Sequence, residues 1–240
     1  MTDIILQTRQ LVKRFGGLRA TDTVDFDLRR GELRCLIGPN GAGKSTFFKL
    51  LTGQLEPTSG TILFDGEDIT NLPTHQIARL GIGIKNQTPD VFDGLSGREN
   101  LWLAANFSHE PAGARRQIDL VIDQLKLAPF VDRQVGELAH GQRQWVEIGM
   151  VMAREPKLIL LDEPSAGMSQ EERIRTAELL NELNKTCTIV VVEHDMQFIK
   201  RIADIVTVFH RGKILREAHV DAILRDPEVR DVYLGRTEVA

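Results

Sequence analysis

Apolar residues are spaced as in β-strands over the first third of the chain. Short alternating or apolar runs, separated by turns that contain glycine, predict strands at residues 4–11, 24–28, 32–37, 61–64 and 82–84. Between the third and fourth of these runs, a glycine-rich turn leads into a helical pattern over residues 44–51. This part of the chain is therefore predicted to be rich in β-structure, with one helix directly after the glycine-rich turn.

The spacing becomes helical from about residue 96 to residue 154. Apolar residues recur three or four positions apart, as at Leu101 and Ala104, Ile118 and Ile122, and Ile148 and Met152. Pro111 and Pro129 interrupt this pattern. We expect the segment to be a mainly helical insertion.

Alternation of strands and helices resumes after the helical segment. Residues 157–161 and 188–192 are continuous apolar runs, which are typical of strands buried on both faces of a parallel sheet, and residues 171–183 between them are predicted to be helical. Shorter strands are expected at residues 205–209 and 213–215. The fold class is therefore α/β. A single domain over residues 1–240 is expected, with an α/β core from 1–95 and 155–240 and a helical subdomain from about 96–154.

Charge and hydropathy argue against two classes of protein. The formal net charge is −4 and the sequence pI is about 5.9, which disfavours a nucleic-acid partner because phosphate binding over a broad surface requires a basic face. Because no run of 18 apolar residues occurs, we expect that the chain does not span a bilayer. The N-terminus shows no basic segment followed by an apolar one, so no secretory signal is expected.

A phosphate-binding loop follows the third predicted strand. The segment GPNGAGKS matches the pattern GxxxxGK[ST] and lies between an apolar strand and a helix, which is the context that this loop requires. Glycines let backbone N–H groups curl around phosphate oxygens, and the helix N-terminus adds partial positive charge. Lys44 would contact the β- and γ-phosphates and Ser45 would bind Mg²⁺. The predicted nucleotide-binding residues are Gly38, Pro39, Asn40, Gly41, Ala42, Gly43, Lys44, Ser45 and Thr46.

Three further polar residues end apolar strands. Asp162 and Glu163 close the segment LILLDE, where Asp162 would lie beside Mg²⁺ and Glu163 could orient or deprotonate an attacking water. His194 follows the strand at 188–192 and could donate to the γ-phosphate, because strand ends in parallel sheets project side chains into the ligand crevice. Each of these residues alone is compatible with a purely structural role. The phosphate loop is what favours catalytic roles for Glu163 and His194.

Two weaker signals lie in the middle of the chain. Gln87 follows the strand predicted at 82–84, and its side chain could contact the metal ion. The segment LAHGQ at residues 138–142 precedes a helical pattern over 143–154, so Gly141 and the helix N-terminus could form a second anion-binding end. A simple helix start explains the same residues.

Taken together, these segments resemble the ATPase subunit of ABC transporters, in the same order and over essentially the whole chain. The resemblance identifies GPNGAGKST as Walker A, Gln87 as the Q-loop glutamine, LAHGQ as the signature, LILLDE as Walker B and His194 as the H-loop histidine. It also implies that Phe15 stacks on adenine, although a core position at a strand end would explain this residue too. The implied fold is a P-loop NTPase core of mainly parallel sheet, with an N-terminal antiparallel β subdomain and an inserted helical subdomain that carries the signature.

Two segments depart from the family pattern. The usual signature is LSGGQ, whereas this chain has Ala139 in place of the serine and His140 in place of the first glycine. The loop after Walker B usually ends in Leu-Asp, whereas the segment SAGM at residues 165–168 contains no acid. The glycine-containing loop resembles the importer branch for branched-chain amino acids and amides. Finer features, among them SAGM and the closing VYLGR, resemble the ATPase subunit of urea importers. We therefore expect an importer of urea or a related amide, with a branched-chain amino acid importer as the alternative.

The resemblance also implies a working cycle and a set of partners. Two ATPase subunits, alike or different, would close head to tail around two ATP molecules with Mg²⁺, each ATP lying on the phosphate loop of one subunit and under the signature (Ala139 and Gly141) of the other. Hydrolysis would reopen the pair and move two transmembrane permease subunits, to which a substrate-binding protein delivers the substrate. The helical insertion and the loop at 88–94 would receive a short permease helix. The chain would lie at the cytoplasmic face of the inner membrane as a peripheral subunit.

Two other functions fit the sequence less well. ABC ATPases of translation or DNA repair usually have two cassettes or a long coiled coil, and neither fits an acidic chain of 240 residues. A regulatory module that binds nucleotide without hydrolysis is disfavoured because Glu163 and His194 are both present.

Overall fold

The strands follow the predicted order closely. The computed structural model describes residues 3–87 and 90–234. Its strands are β1 (Ile4–Phe15), β2 (Leu18–Arg29), β3 (Leu33–Ile37), β4 (Ser59–Phe64), β5 (Glu67–Asp68), β6 (Ile82–Lys85), β7 (Leu158–Asp162), β8 (Thr188–Val192), β9 (Ile205–His210) and β10 (Lys213–His219). Every predicted strand overlaps one of these, whereas the two-residue β5 has no counterpart in the hydrophobic pattern.

The helices fall into a predicted group and a group of short ones. They are α1 (Lys44–Leu51), α2 (Thr74–Leu80), α3 (Gly97–Ala105), α4 (Pro111–Gln124), α5 (His140–Met152), α6 (Gln170–Asn184), α7 (Met196–Ile202), α8 (Val220–Arg225) and α9 (Pro227–Leu234). The periodicity predicts α1, α6 and the helices of the middle segment. It misses α2, α7, α8 and α9, because six to eight residues hardly show a helical repeat. The helix α1 is as short, but the glycine-rich turn before it marks its start. Within the described residues, no helix has both the length and the apolar character needed to cross a membrane.

One structural unit takes its described residues from 1–80 and 188–240. Its antiparallel sheet has the strand order β2–β1–β4–β5. In the second sheet of this unit, β3 lies between β8 and β9 and is parallel to both, and β10 pairs antiparallel with β9. The ring of Phe47 in α1 packs against Phe26 of β2 and Phe209 of β9, with ring centroids 5.5 and 5.2 Å apart. This aromatic cluster fixes α1, the helix that follows the phosphate loop, against one strand of each sheet.

The second unit comprises residues 81–187, less the two that are not described. Here β6 and β7 are parallel neighbours, and α3, α4 and α5 pack together through buried apolar side chains. Gly149 lets Leu101 of α3 approach α5 closely, since a Cβ at Gly149 would lie 2.8 Å from the Leu101 side chain. The indole of Trp145 in α5 donates to the Thr176 hydroxyl of α6 over 2.9 Å. The helices that carry the signature segment are thus fixed to one another by packing and by a buried hydrogen bond.

Candidate nucleotide site

Glycine is required twice in the loop between β3 and α1. Gly38 and Gly43 have φ angles of +150° and +105°. A Cβ at Gly38 would overlap the carbonyl oxygen of Phe209, and a Cβ at Gly43 would overlap that of Ala20. No residue with a side chain fits these positions without moving the neighbouring backbone. The close approach of the neighbouring backbone therefore requires glycine at both positions.

The loop presents positive charge where a phosphate would bind. Lys44 Nζ donates to the carbonyl oxygens of Gly38 and Pro39 over 2.6 and 3.2 Å, so its ammonium group lies over the loop. Among the described residues, no side chain caps the N-terminus of α1, and its first turn contains no acidic residue. Asn40, Gly41 and Ser45 are exposed. An open helix N-terminus with a lysine beside it fits the triphosphate of a nucleotide.

Phe15 and His194 belong to the same unit as the loop. Phe15 ends β1 and is 48% exposed, and Lys13 Nζ lies 5.3 Å from the ring centroid. An exposed ring does not support the alternative that Phe15 is a core residue. His194 lies two residues beyond the end of β8 and is exposed, and its backbone N–H donates to Glu193 Oε2 over 3.1 Å. Asp195 caps α7 by accepting from the Gln197 N–H over 2.8 Å. The cap fixes the backbone directly after His194, between β8 and α7.

In the second unit, the structure brings Gln87 and Glu163 together. Because β6 and β7 are parallel neighbours, their carboxyl ends lie at the same edge, and Gln87 and Asp162 are found there. Gln87 Nε2 donates to Glu163 Oε2 over 2.9 Å. Because the amide nitrogen of Gln87 makes this bond, its amide oxygen can face a metal ion. This oxygen and the Asp162 carboxylate are oxygen ligands of the kind that Mg²⁺ prefers.

Glu163 adopts a backbone conformation that is uncommon for its residue type. Its φ angle is +47°, in the left-handed region, and its carbonyl accepts from the Ala166 N–H over 3.1 Å. Such conformations cost of the order of 1–3 kcal/mol and cluster at functional sites. The tight turn after β7 therefore places the predicted catalytic carboxylate at some cost in stability.

The signature segment forms the start of α5. This helix begins at His140, three positions earlier than the periodicity predicts, with Ala139 as its N-cap residue. Gln142 Oε1 accepts from the Ala139 N–H over 3.1 Å, but alanine has no side-chain oxygen to accept a bond in return. A Cβ at Gly141 would overlap the carboxylate of Glu172, so this glycine allows α6 to approach closely. Ala139 itself is exposed.

The two departures from the family pattern contact each other. His140 Nε2 lies 3.0 Å from the carbonyl oxygen of Ala166 and 3.3 Å from Gln144 Nε2. Gly167 has a φ angle of +71°, and a Cβ there would lie 3.0 Å from the His140 ring. The imidazole therefore occupies space that the glycine of SAGM leaves open.

Sequence reasoning missed a buried ion pair behind Gln87. Lys85 Nζ lies 3.5 Å from Glu147 Oε2, and both side chains are almost completely buried. Lys85 also donates to the Asn86 carbonyl over 2.9 Å, and Glu147 Oε1 accepts from the Asp90 N–H over 3.0 Å. Burial raises the pKa of Glu147, although Lys85 opposes the shift. The available signal was one charged residue in each of two otherwise apolar segments, GIGIK and WVEIGM.

Known proteins and solved structures resemble this chain over most of its length. The ABC transporter family model matches residues 21–166. The chain is 34% identical to the high-affinity branched-chain amino acid transport ATP-binding protein BraF of Pseudomonas aeruginosa, over 98% of this chain and 99% of that protein. The solved structure of MJ1267, an ATP-binding cassette of an ABC transporter in its ADP conformation, has a TM-score of 0.89 at 31% identity and covers 98% of this chain and 100% of its own. A dimeric structure of the cassette MJ0796 with ADP and Pi gives 0.78 at 25% identity, over 90% and 99% of the two chains.

The family match and the likeness to solved ATP-binding cassettes define the chain as a nucleoside triphosphatase. The chain belongs to the ABC transporter family, as an ATP-binding and ATP-hydrolysing subunit. The predicted fold class, an α/β ABC ATPase with an antiparallel sheet and a mainly parallel one, is confirmed. So is the prediction of ATPase activity.

Proposed function

We propose that this chain is the ATPase subunit that energises an importer of branched-chain amino acids. The observation that carries the proposal is the 34% identity to BraF along nearly the full length of both chains. This finding favours the alternative substrate over the expected urea or related amide. The SAGM loop and the closing VYLGR suggested urea, and the last two residues of VYLGR lie outside the described part of the chain.

The nucleotide roles in the proposal follow the predicted residues. The loop at 38–46 would hold the triphosphate with Lys44 at its β- and γ-phosphates, and Phe15 would stack on adenine. Ser45, Gln87 and Asp162 would hold Mg²⁺, which neutralises charge on the phosphates when it is bound. The catalytic residues would be Glu163, which orients and deprotonates water, and His194, which donates to the γ-phosphate.

A second ATPase subunit would complete each nucleotide site. MJ0796, a similar cassette, was solved as a dimer. In this chain Ala139 is exposed at the start of α5, beside Gly141, where a partner's ATP could reach the helix N-terminus. The partner could be a second copy of this chain or a different ATPase subunit, and association would be driven by the nucleotide.

A groove in the second unit would receive the permease. A cavity of about 290 Å³ is lined by apolar side chains from α3, from α5 and from the segments directly before and after α3, among them Phe92, Leu103, Phe107, Met150 and Val151. Phe92 and Phe107 are more than half exposed. A short amphipathic permease helix would bury this apolar surface. Within the loop at 88–94 that was also expected to contact the permease, Thr88 and Pro89 lie outside the described residues.

Reconstitution of the transporter tests the proposal. The ATPase would be assembled with its two permeases in vesicles, at the face equivalent to the cytoplasm, with the substrate-binding protein outside. We expect ATP-dependent uptake of labelled leucine, and ATP turnover that the permeases stimulate. Uptake of labelled urea without uptake of leucine would show that the transporter imports urea instead. ATP turnover that no permease stimulates would favour a non-transport ATPase, and nucleotide binding without turnover would favour a regulatory module.

A further inference from the structure

A hydrogen bond joins the last described helix to the phosphate loop. The hydroxyl of Tyr233 in α9 accepts from the N–H of Gly38 over 2.6 Å, across 195 positions of sequence. Tyr233 is the only tyrosine in the sequence, and it lies in the VYLGR segment, to which the proposed cycle gives no role. Burial raises the pKa of this phenol, so it remains a neutral hydroxyl at physiological pH.

The helix that presents Tyr233 is itself fixed. Asp226 caps α9 by accepting from the Glu228 N–H over 2.9 Å, and Arg216 of β10 pairs with Asp226 over 3.0 Å. Val229 in the first turns of α9 is buried. The hydroxyl is therefore held at the loop by a capped and anchored helix.

Gly38 is held on three sides. Its N–H donates to Tyr233, its Cα faces the carbonyl of Phe209 with no room for a Cβ, and its carbonyl accepts from Lys44 Nζ over 2.6 Å. The last of these contacts must weaken when the Lys44 ammonium turns towards a phosphate. The Tyr233 bond does not depend on Lys44 and can persist through this change.

We infer that Tyr233 is a positioning residue of the nucleotide site, whose hydroxyl keeps the start of the phosphate loop in its binding shape while Lys44 exchanges the Gly38 carbonyl for phosphate oxygens. The inference rests on the proposed nucleotide site. Without the hydroxyl, the Gly38 N–H would lose this hydrogen bond and could pair only with water, and the loop would populate other conformations. The binding-competent fraction then falls, and the apparent Kd for nucleotide rises by the same factor.

The test is Tyr233→Phe in the full chain, with MgADP as the probe in calorimetric titration. This change deletes one oxygen and keeps the ring. We expect the Kd for MgADP to rise about tenfold, which corresponds to about 1.4 kcal/mol. The control is Ile62→Ala, at a fully buried residue of β4 in the same structural unit, which lies outside α9 and outside the loop. It should lower the melting temperature at least as much as Tyr233→Phe and leave the Kd within about twofold of the wild type.

A second measurement uses the single tyrosine. Incorporation of 3-fluorotyrosine gives one ¹⁹F resonance, from position 233, and we expect MgADP to shift it in the wild type but not in Lys44→Ala.

A Kd for Tyr233→Phe within twofold of the wild type would overturn the inference. A loss of affinity in Ile62→Ala as large as that in Tyr233→Phe would also overturn it, because the loss would then follow from lower stability alone. A ¹⁹F resonance that does not respond to MgADP would overturn it as well. Wild-type protein that binds no MgADP would instead overturn the nucleotide site together with this inference.

Discussion

His140 Nε2 lies 3.0 Å from the carbonyl oxygen of Ala166, which links the signature segment to the loop after Walker B within one unit. Both segments depart from the usual family sequence, and the departures fit each other. The imidazole takes the place of a glycine hydrogen, and Gly167 provides the space that the ring needs. A side chain at position 167 would remove that space.

The first prediction concerns Gly167→Ala. The added Cβ would lie 3.0 Å from the His140 ring at a φ angle of +71°, so we expect a loss of about 1.5–3 kcal/mol in the free energy of unfolding. Denaturation with urea measures it. Gly66→Ala is the control, because Gly66 also has a positive φ angle, +84°, but nothing lies within 4 Å of its added Cβ. It should lose only about 1 kcal/mol. If His140→Ala does not reduce the excess cost of Gly167→Ala, the contact has no energetic role.

The second prediction concerns the cation of the phosphate loop. Lys44→Ala removes the ammonium that lies over the Gly38 and Pro39 carbonyls, and charge-assisted contacts are the strong ones at a phosphate. We expect a loss of MgATP affinity of at least tenfold in calorimetric titration, with an unchanged circular dichroism spectrum. Lys49→Ala, on the exposed side of α1, is the matched control and should bind normally. Unchanged affinity in Lys44→Ala would contradict the site.

The third prediction concerns Glu163→Gln. The amide oxygen of the new side chain can still accept from Gln87 Nε2, which donates to Glu163 over 2.9 Å, but an amide cannot take a proton from water. We expect ATP binding close to that of the wild type and a fall in turnover of at least a hundredfold. The variant should accumulate as an ATP-bound dimer in light scattering, while the wild type without nucleotide stays a monomer or weak dimer. Turnover at the wild-type rate would show that Glu163 is not the base.

The fourth prediction uses the pKa of Glu147. Burial raises this pKa above its value in the unfolded chain, so the native state holds the proton more tightly. The stability that this group contributes is complete below the unfolded pKa of about 4.3 and is lost as pH rises through the native value. Glu147→Gln removes this dependence and keeps an acceptor for the Asp90 N–H.

Denaturation at several pH values checks the Glu147 prediction. The stability advantage of the wild type over Glu147→Gln should shrink as pH rises from about 4.5 towards neutrality. In Lys85→Met, where the opposing ammonium is absent, the native pKa of Glu147 should be higher and the loss should extend to higher pH. Parallel curves for all three proteins would mean that Glu147 does not titrate in this range.

The sequence predicts the elements that repeat over enough residues and the motifs whose residues are adjacent. The strands around Ile37 and Val192 and the loop at 38–46 are of this kind, because local patterns encode them. Contacts between residues far apart in sequence leave no local signal. The bond between Tyr233 and Gly38 is an example. The helix α9 is too short to show a clear periodic pattern, and a single tyrosine forms no motif with a recognisable spacing. The start of α5 at His140 was missed because Ala139 is a poor N-cap residue.

The last prediction concerns Ala139, the position at which the resembling family has a serine whose hydroxyl donates to the γ-phosphate held by the opposite subunit. Ala139 has the extended conformation of an N-cap residue, with φ and ψ of −59° and 155°. Ala139→Ser should therefore have two separable effects. It should cap α5 and raise stability by about 0.5–2 kcal/mol. It should also restore a hydrogen bond to a charged group, worth about 1.5–3 kcal/mol, and so raise the ATP turnover of the isolated chain, in which two copies must complete each other's sites.

Ala139→Asp separates these effects, because aspartate caps a helix as well as serine does but cannot donate to a phosphate and repels it. We expect both variants to melt at higher temperature than the wild type and only Ala139→Ser to hydrolyse ATP faster. If the partner in the assembled transporter is a different subunit, Ala139 covers the partner's ATP, and this chain's own Glu163 works under the partner's signature. Glu163→Gln should then reduce transport more than the equivalent change in the partner. Equal losses of transport, together with unchanged turnover in Ala139→Ser, would show that the missing hydroxyl has no consequence for the cycle.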